Sequence, residues 1–138
     1  MKKACWMLFA AAVVLPPLAT AGTAQPAYAV TQHYALGGAG KWDYLSFDPA
    51  AHRLFIARDD RVMVVDAGGG KLVAEIGGMR HAHGVAFIPR LHRAYVSNGD
   101  GNDISVVDLA TLKVVGSIPV SGRDPDAIIY DAGSGDVL

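Results

Sequence analysis

The sequence predicts an all-β chain: a β-propeller fragment of four-stranded antiparallel blades, about two and a quarter blades in 138 residues. Three observations lead there. A segment of some 40 residues recurs along the chain, and a fixed period of that length marks stacked repeat architectures. Each copy holds four short apolar or β-branched runs, the pattern of strands. Clusters of Gly, Asn and Asp separate the runs, and nothing after the first two dozen residues sustains a 3.6-residue period.

The elements follow in order. Met1-Lys2-Lys3 is a basic start, Ala4 to Leu15 is apolar, and Ala19-Thr20-Ala21 offers a small-x-small cleavage pattern. This is the layout of a secretory signal peptide over residues 1–24, with cleavage between Ala21 and Ala29. The run is too short to span a bilayer, so no membrane span is expected once it is removed. Cys5, the one cysteine, lies inside it. The mature chain is therefore expected to have no disulfide, thiolate site or cysteine nucleophile. Without Lys2 and Lys3, ten Lys+Arg face thirteen Asp+Glu, a formal charge of −3. The charges are interspersed, and no basic stripe supports nucleic-acid binding.

Residues 25–41 contain Tyr28 to Leu36, a strand-like stretch ending at Gly37-Gly38. It is expected as an outer strand that closes another blade. Blade repeat 1 covers 42–82, with runs Tyr44–Phe47, Arg53–Ala57, Val62–Val65 and Leu72–Ile76. Blade repeat 2 covers 83–125, with runs Val85–Ile88, Arg93–Ser97, Ile104–Val107 and Leu112–Ile118. Leu45-Ser46-Phe47-Asp48-Pro49 aligns with Val85-Ala86-Phe87-Ile88-Pro89, and His52-Arg53 with His92-Arg93, both 40 residues apart. A third copy, 126–138, opens with Asp126-Ala127-Ile128-Ile129-Tyr130. Fewer than four blades leave apolar faces and strand edges uncovered, so further blades are expected in the intact protein.

From Trp42 to Leu138 the sequence resembles the YncE-like family of YVTN-repeat β-propellers. The residues that carry the resemblance are Trp42-Asp43-Tyr44-Leu45 leading to Phe47-Asp48-Pro49, His83-Gly84-Val85-Ala86 and Ser97-Asn98-Gly99. Val106-Val107-Asp108, Leu112 to Ile118 and Pro125-Asp126-Ala127-Ile128 add to it. The resemblance implies an exported bacterial protein with a seven-bladed ring. It also implies three functional possibilities: a binding propeller, a relative of lactonases or quinoprotein dehydrogenase subunits, and a single-stranded DNA binder. The fold does not choose among them.

The candidate site residues come from the repeat itself. Asp43, His83 and Asp126 occupy equivalent positions, each just before the innermost strand. In a propeller these positions gather at one mouth of the channel, where polar groups converge on ligands. Trp42, His81 and Arg123 flank them; the competing role for each Asp is to cap its own turn. His81-Ala82-His83 presents two imidazoles, but a metal site needs a third ligand, so ordinary loop histidines are expected and no metal or other cofactor. Asn98 to Asp103 lacks the glycine and closing Glu of a calcium loop and reads as a hairpin turn. Gly68-Gly69-Gly70-Lys71 reads as a flexible connection rather than a phosphate loop. No nucleophile motif is present. The expectation is a periplasmic or secreted, non-catalytic binding or scaffold propeller whose partner is a small molecule or a periplasmic protein. The alternatives are a lactonase-like hydrolase, a quinoprotein oxidoreductase partner, and a single-stranded DNA binder. Only Trp42 looks available for base stacking, which ranks the last lowest.

Overall fold

A computed structural model describes residues 28–138; the expected signal peptide lies outside the described residues. Two units divide after Gln32. Of the first, only residues 28–32 are described, without regular structure. The second holds all the strands among the described residues.

Six strands form one antiparallel sheet in sequence order: β1 (Leu45–Asp48), β2 (Arg53–Asp66), β3 (Leu72–Ile88), β4 (Arg93–Asn98), β5 (Asp103–Asp108) and β6 (Lys113–Pro119). A separate hairpin joins β7 (Tyr130–Asp131) to β8 (Asp136–Val137). β2 and β3 each contain two of the expected runs. A 14-residue extended strand would part its ends by about 45 Å. Yet Ala67 N–H donates to His52 O at 3.1 Å across the two ends of β2. β2 is therefore a hairpin, turning at Asp59-Asp60, where Asp59 has φ 55°. Its first arm pairs with β1 and its second with the start of β3. β3 bends at Gly77-Gly78, where Gly78 has φ 87°, and its far half pairs with β4. The result is two consecutive four-stranded blades.

The main core lies between them. Phe55, Val62, Val64 and Ile76 of the first blade meet Val85, Val96 and Val107 of the second. Phe55 and Phe87 make an edge contact, centroids 5.0 Å apart at 74°, a geometry that aromatic quadrupoles favour. Each arm of β2 buries four successive residues, Phe55–Arg58 and Val62–Val65, because side chains alternate between this core and the Ile56, Met63 and Val65 cluster on the other face.

Two expectations are corrected. Residues 28–41 contain no strand. A strand needs a partner edge, and no strand of the sheet pairs with Tyr28–Leu36; the residues that follow, 37–41, are held by a side chain instead. Arg58, buried, donates to the carbonyl oxygens of Gly37, Gly38, Ala39, Gly40 and Lys41 at 2.9–3.3 Å. Leu36 packs beside Ile56, Met63 and Val65 on the far face of blade 1. Nor is Gly68–Gly70 a flexible connection. Asp66 Oδ2 accepts from Gly69 N–H at 2.7 Å, and Tyr34 hydroxyl donates to Gly68 O at 3.1 Å. Gly70 has φ +67°, and a Cβ there would lie 1.9 Å from the Tyr34 ring, so this turn admits only glycine.

Candidate functional site

The three repeat-equivalent residues come together at one end of the blades. Asp43 precedes β1, its N–H bonded to Ala57 O at 3.0 Å. His83 sits in β3 past its bend, and its carbonyl accepts from Tyr44 N–H at 3.3 Å. Asp126 is placed by a relay: Gly84 N–H donates to Ser97 Oγ at 2.9 Å, and Ser97 Oγ–H donates to Asp126 O at 2.5 Å. Gly84 also makes room, since a Cβ there would meet Ile128 at 2.8 Å. A backbone bond and the Ser97 hydroxyl thus stitch the starts of all three repeats side by side.

His83 is the centre of the cluster and is 8% exposed. Its Nδ1 lies 2.6 Å from Asp43 Oδ2 and 3.8 Å from Asp126 Oδ1. Nε2 faces Asp124 Oδ1 at 3.6 Å, too long for a hydrogen bond. Nε2 is buried and has no hydrogen-bond partner among the described residues. Burial pulls the His83 pKa down, but the Asp43 hydrogen bond and the charges of Asp126, Asp43 and Asp124 outweigh it, and the net direction is up. His81 stacks obliquely on His83, centroids 4.3 Å apart, with Asp100 Oδ1 3.9 Å from its Nδ1.

Of the residues picked from sequence, Asp43, His83, Asp126 and His81 are clustered. Trp42, 72% exposed, and Arg123, also exposed, stand beside the cluster rather than in it. Asp124 and Gly99 were missed. Asp124 was findable: it stands two residues before Asp126, as His81 stands two before His83. Gly99 was not, because its role is to leave space that only the folded hairpin defines. Two triads could hold a metal ion, His81/His83/Asp124 and Asp43/His83/Asp126, the donor atoms of each lying within 4.8 Å of one another. Asn98 to Asp103 forms the β4–β5 hairpin as expected, with Asn98 Nδ2 donating to Asp103 Oδ1 at 3.0 Å and Ser105 Oγ at 2.8 Å. A cavity of about 320 Å³ lies elsewhere. Phe87, Pro89 and Leu109 line it at the opposite strand ends, and it is mostly apolar.

No family model matches the chain. Over 73 residues it is 37% identical to an uncharacterized protein YncE of Salmonella typhimurium, covering 51% of this chain and 20% of that protein. Hydrazine synthase of Kuenenia stuttgartiensis shares the fold with a TM-score of 0.63 at 24% identity, over 75% of this chain and 31% of that one. The β-propeller domain of Cps50 (Swd1) from Myceliophteria thermophila does so with a TM-score of 0.53 at 14% identity, over 62% and 27%. The chain thus spans about a fifth of its curated relative. The recurring segment, the two four-stranded blades and these likenesses give the chain a β-propeller fold, partial in length, with similarity to YncE over 73 residues.

Proposed function

We propose that this chain contributes blades to an exported ring that binds a small molecule or a periplasmic protein without transforming it. The observation that carries the reading is the convergence of Asp43, His83 and Asp126 at one end of three successive repeats. Polar groups that converge on a concave face orient ligands, and the face sits where a ring would open its channel. Export is supported by the basic-apolar-small layout of residues 1–24. The non-catalytic reading is supported by the absence of a nucleophile motif from the sequence.

The test is an isotope-labelled amide spectrum of the full chain, titrated with small molecules extracted from bacterial periplasm. Shifts confined to the amides around Asp43, His83, Gly99 and Asp126 are expected. Shifts centred on the apolar cavity at Phe87 would move the binding site to the other strand ends and end this reading. So would turnover of a lactone panel that His83→Ala abolishes.

A further inference from the structure

His83 is fixed on one side and open on the other. Asp43 Oδ2 lies 2.6 Å from its Nδ1. A carboxylate only accepts, so the proton of the neutral ring sits on Nδ1 and Nε2 carries a lone pair. That nitrogen is buried without a hydrogen-bond partner among the described residues. Buried polar atoms are nearly always partnered, so an orphan aimed into a cluster points to a ligand. Beside it stand the His81 ring and Asp124 Oδ1, the latter 3.6 Å away. Donors on a tetrahedral zinc ion, with bonds of about 2.0–2.1 Å, lie about 3.3 Å apart. Small rotations of His81 and Asp124 about their side-chain bonds bring the triad to that spacing.

The space for an ion is kept by Gly99. A Cβ there would lie 2.6 Å from His83 Nε2 and 2.2 Å from Asp124 Oδ1. Gly99 is not in the left-handed region, so here the missing side chain provides room rather than backbone freedom. The field agrees. Asp43, Asp100, Asp124 and Asp126 each hold a carboxylate oxygen 2.6–3.9 Å from a ring nitrogen of His81 or His83. Four carboxylates around two imidazoles favour a dication.

We propose that His81, His83 through Nε2, and Asp124 bind one divalent transition-metal ion of the zinc class, with Asp43 as the positioning residue for His83. The proposal rests on reading this end of the blades as the binding face and names what that face takes first. Two imidazoles and a carboxylate suit zinc over magnesium or calcium, which prefer all-oxygen sites. Three protein ligands leave a fourth position toward solvent, where a second ligand can join the ion. The Asp43–His83 pair is the carboxylate–histidine arrangement that orients metal-bound imidazoles. The other triad would need Nδ1 as its donor, and Asp43 already occupies that nitrogen's proton.

The experiment uses the full chain, stripped with a chelator and titrated with Zn²⁺ against a chromophoric competitor. Imidazole nitrogen resonances are followed in parallel. One zinc per chain is expected, with the His83 Nε2 resonance moving and Nδ1 staying protonated. His83→Ala, His81→Ala and Asp124→Ala should each weaken binding at least about tenfold, and Asp43→Asn by about 10–100-fold. Gly99→Ala, with its fold checked by circular dichroism, should exclude the ion while all ligands remain. Failure to bind zinc overturns the proposal, as does affinity unchanged in His83→Ala and Asp124→Ala. A metal signal on Nδ1, which would assign the ion to Asp43 and Asp126, overturns it too. If zinc fails but periplasmic extract still shifts this face, only the metal proposal falls; if neither does, the binding face falls with it.

Discussion

Arg58 shows how much one side chain decides. Its guanidinium reaches five successive carbonyls of residues 37–41 and also Met63 Sδ at 3.3 Å. Hydrogen bonds to a charged group stabilise by about 1.5–3 kcal/mol. Arg58→Ala is therefore expected to cost about 3 kcal/mol in urea unfolding. Arg58→Lys should recover little, since an ammonium lacks the planar fork that spans several acceptors. Gly70→Ala is expected to destabilise by about 1–3 kcal/mol through its left-handed backbone and the Tyr34 ring. Adding Tyr34→Ala should return part of that loss, and a double-mutant cycle measures how much. Asp103 is a third case. Burial pushes its pKa up, but hydrogen bonds from Ser117, Asn98 and Arg80 win, and its pKa is lowered. A lowered folded pKa stabilises above the unfolded value of about 3.9, and the gain is lost as pH falls through the folded one. Unfolding midpoints of the native chain should thus drop more steeply than those of Asp103→Asn as pH falls below the unfolded value of about 3.9.

At the scale of the element, the Ser97 relay couples β4 to the third repeat. Ser97 is fully buried, accepts from Gly84 N–H and donates to Asp126 O. Ser97→Ala leaves both backbone groups without this partner and should cost about 1–3 kcal/mol. It also releases the segment carrying Asp124 and Asp126. Zinc affinity is therefore expected to fall in Ser97→Ala although no proposed ligand has changed, and the competitor titration reads this directly. Unchanged affinity would mean that Asp124 is placed by the β4–β5 hairpin, where Asn102 Oδ1 accepts from its N–H at 3.0 Å.

At the scale of the molecule, one core serves two blades, since one face of blade 1 is buried against the opposite face of blade 2. Repeats that share an interface unfold together when that interface dominates. Phe55→Ala is expected to cost about 3–5 kcal/mol and to shift a single transition for both blades. Amide exchange checks this. Protection should fall in β5 as much as in β2, and loss confined to β2 would show blades that are independent. β1 and β6 lie at the sheet's two edges, with Leu45, Phe47, Val115 and Ile118 exposed. Such edges and apolar side chains promote association.

The repeat was legible because it is written in local chemistry. Alternating apolar residues and turn residues at 40–43-residue spacing specify strands and hairpins without any partner. That spacing also marked Asp43, His83 and Asp126 as equivalent, and equivalence in a stacked repeat means neighbours in space. The fate of residues 28–41 was not legible, because a strand-like run becomes a strand only beside an open edge, and the loop that follows it, 37–41, is held by Arg58 rather than by a strand. Nor was the make-up of the cluster. Asp124 supplies the third donor, Gly99 the space, and Asp43 the tautomer of His83. The sequence by itself determined a blade-built chain with polar residues at one end of each repeat. Only the tertiary structure decided which of them face one imidazole, because distances of 2.6 and 3.6 Å between residues about 40 apart are set by how blades stack.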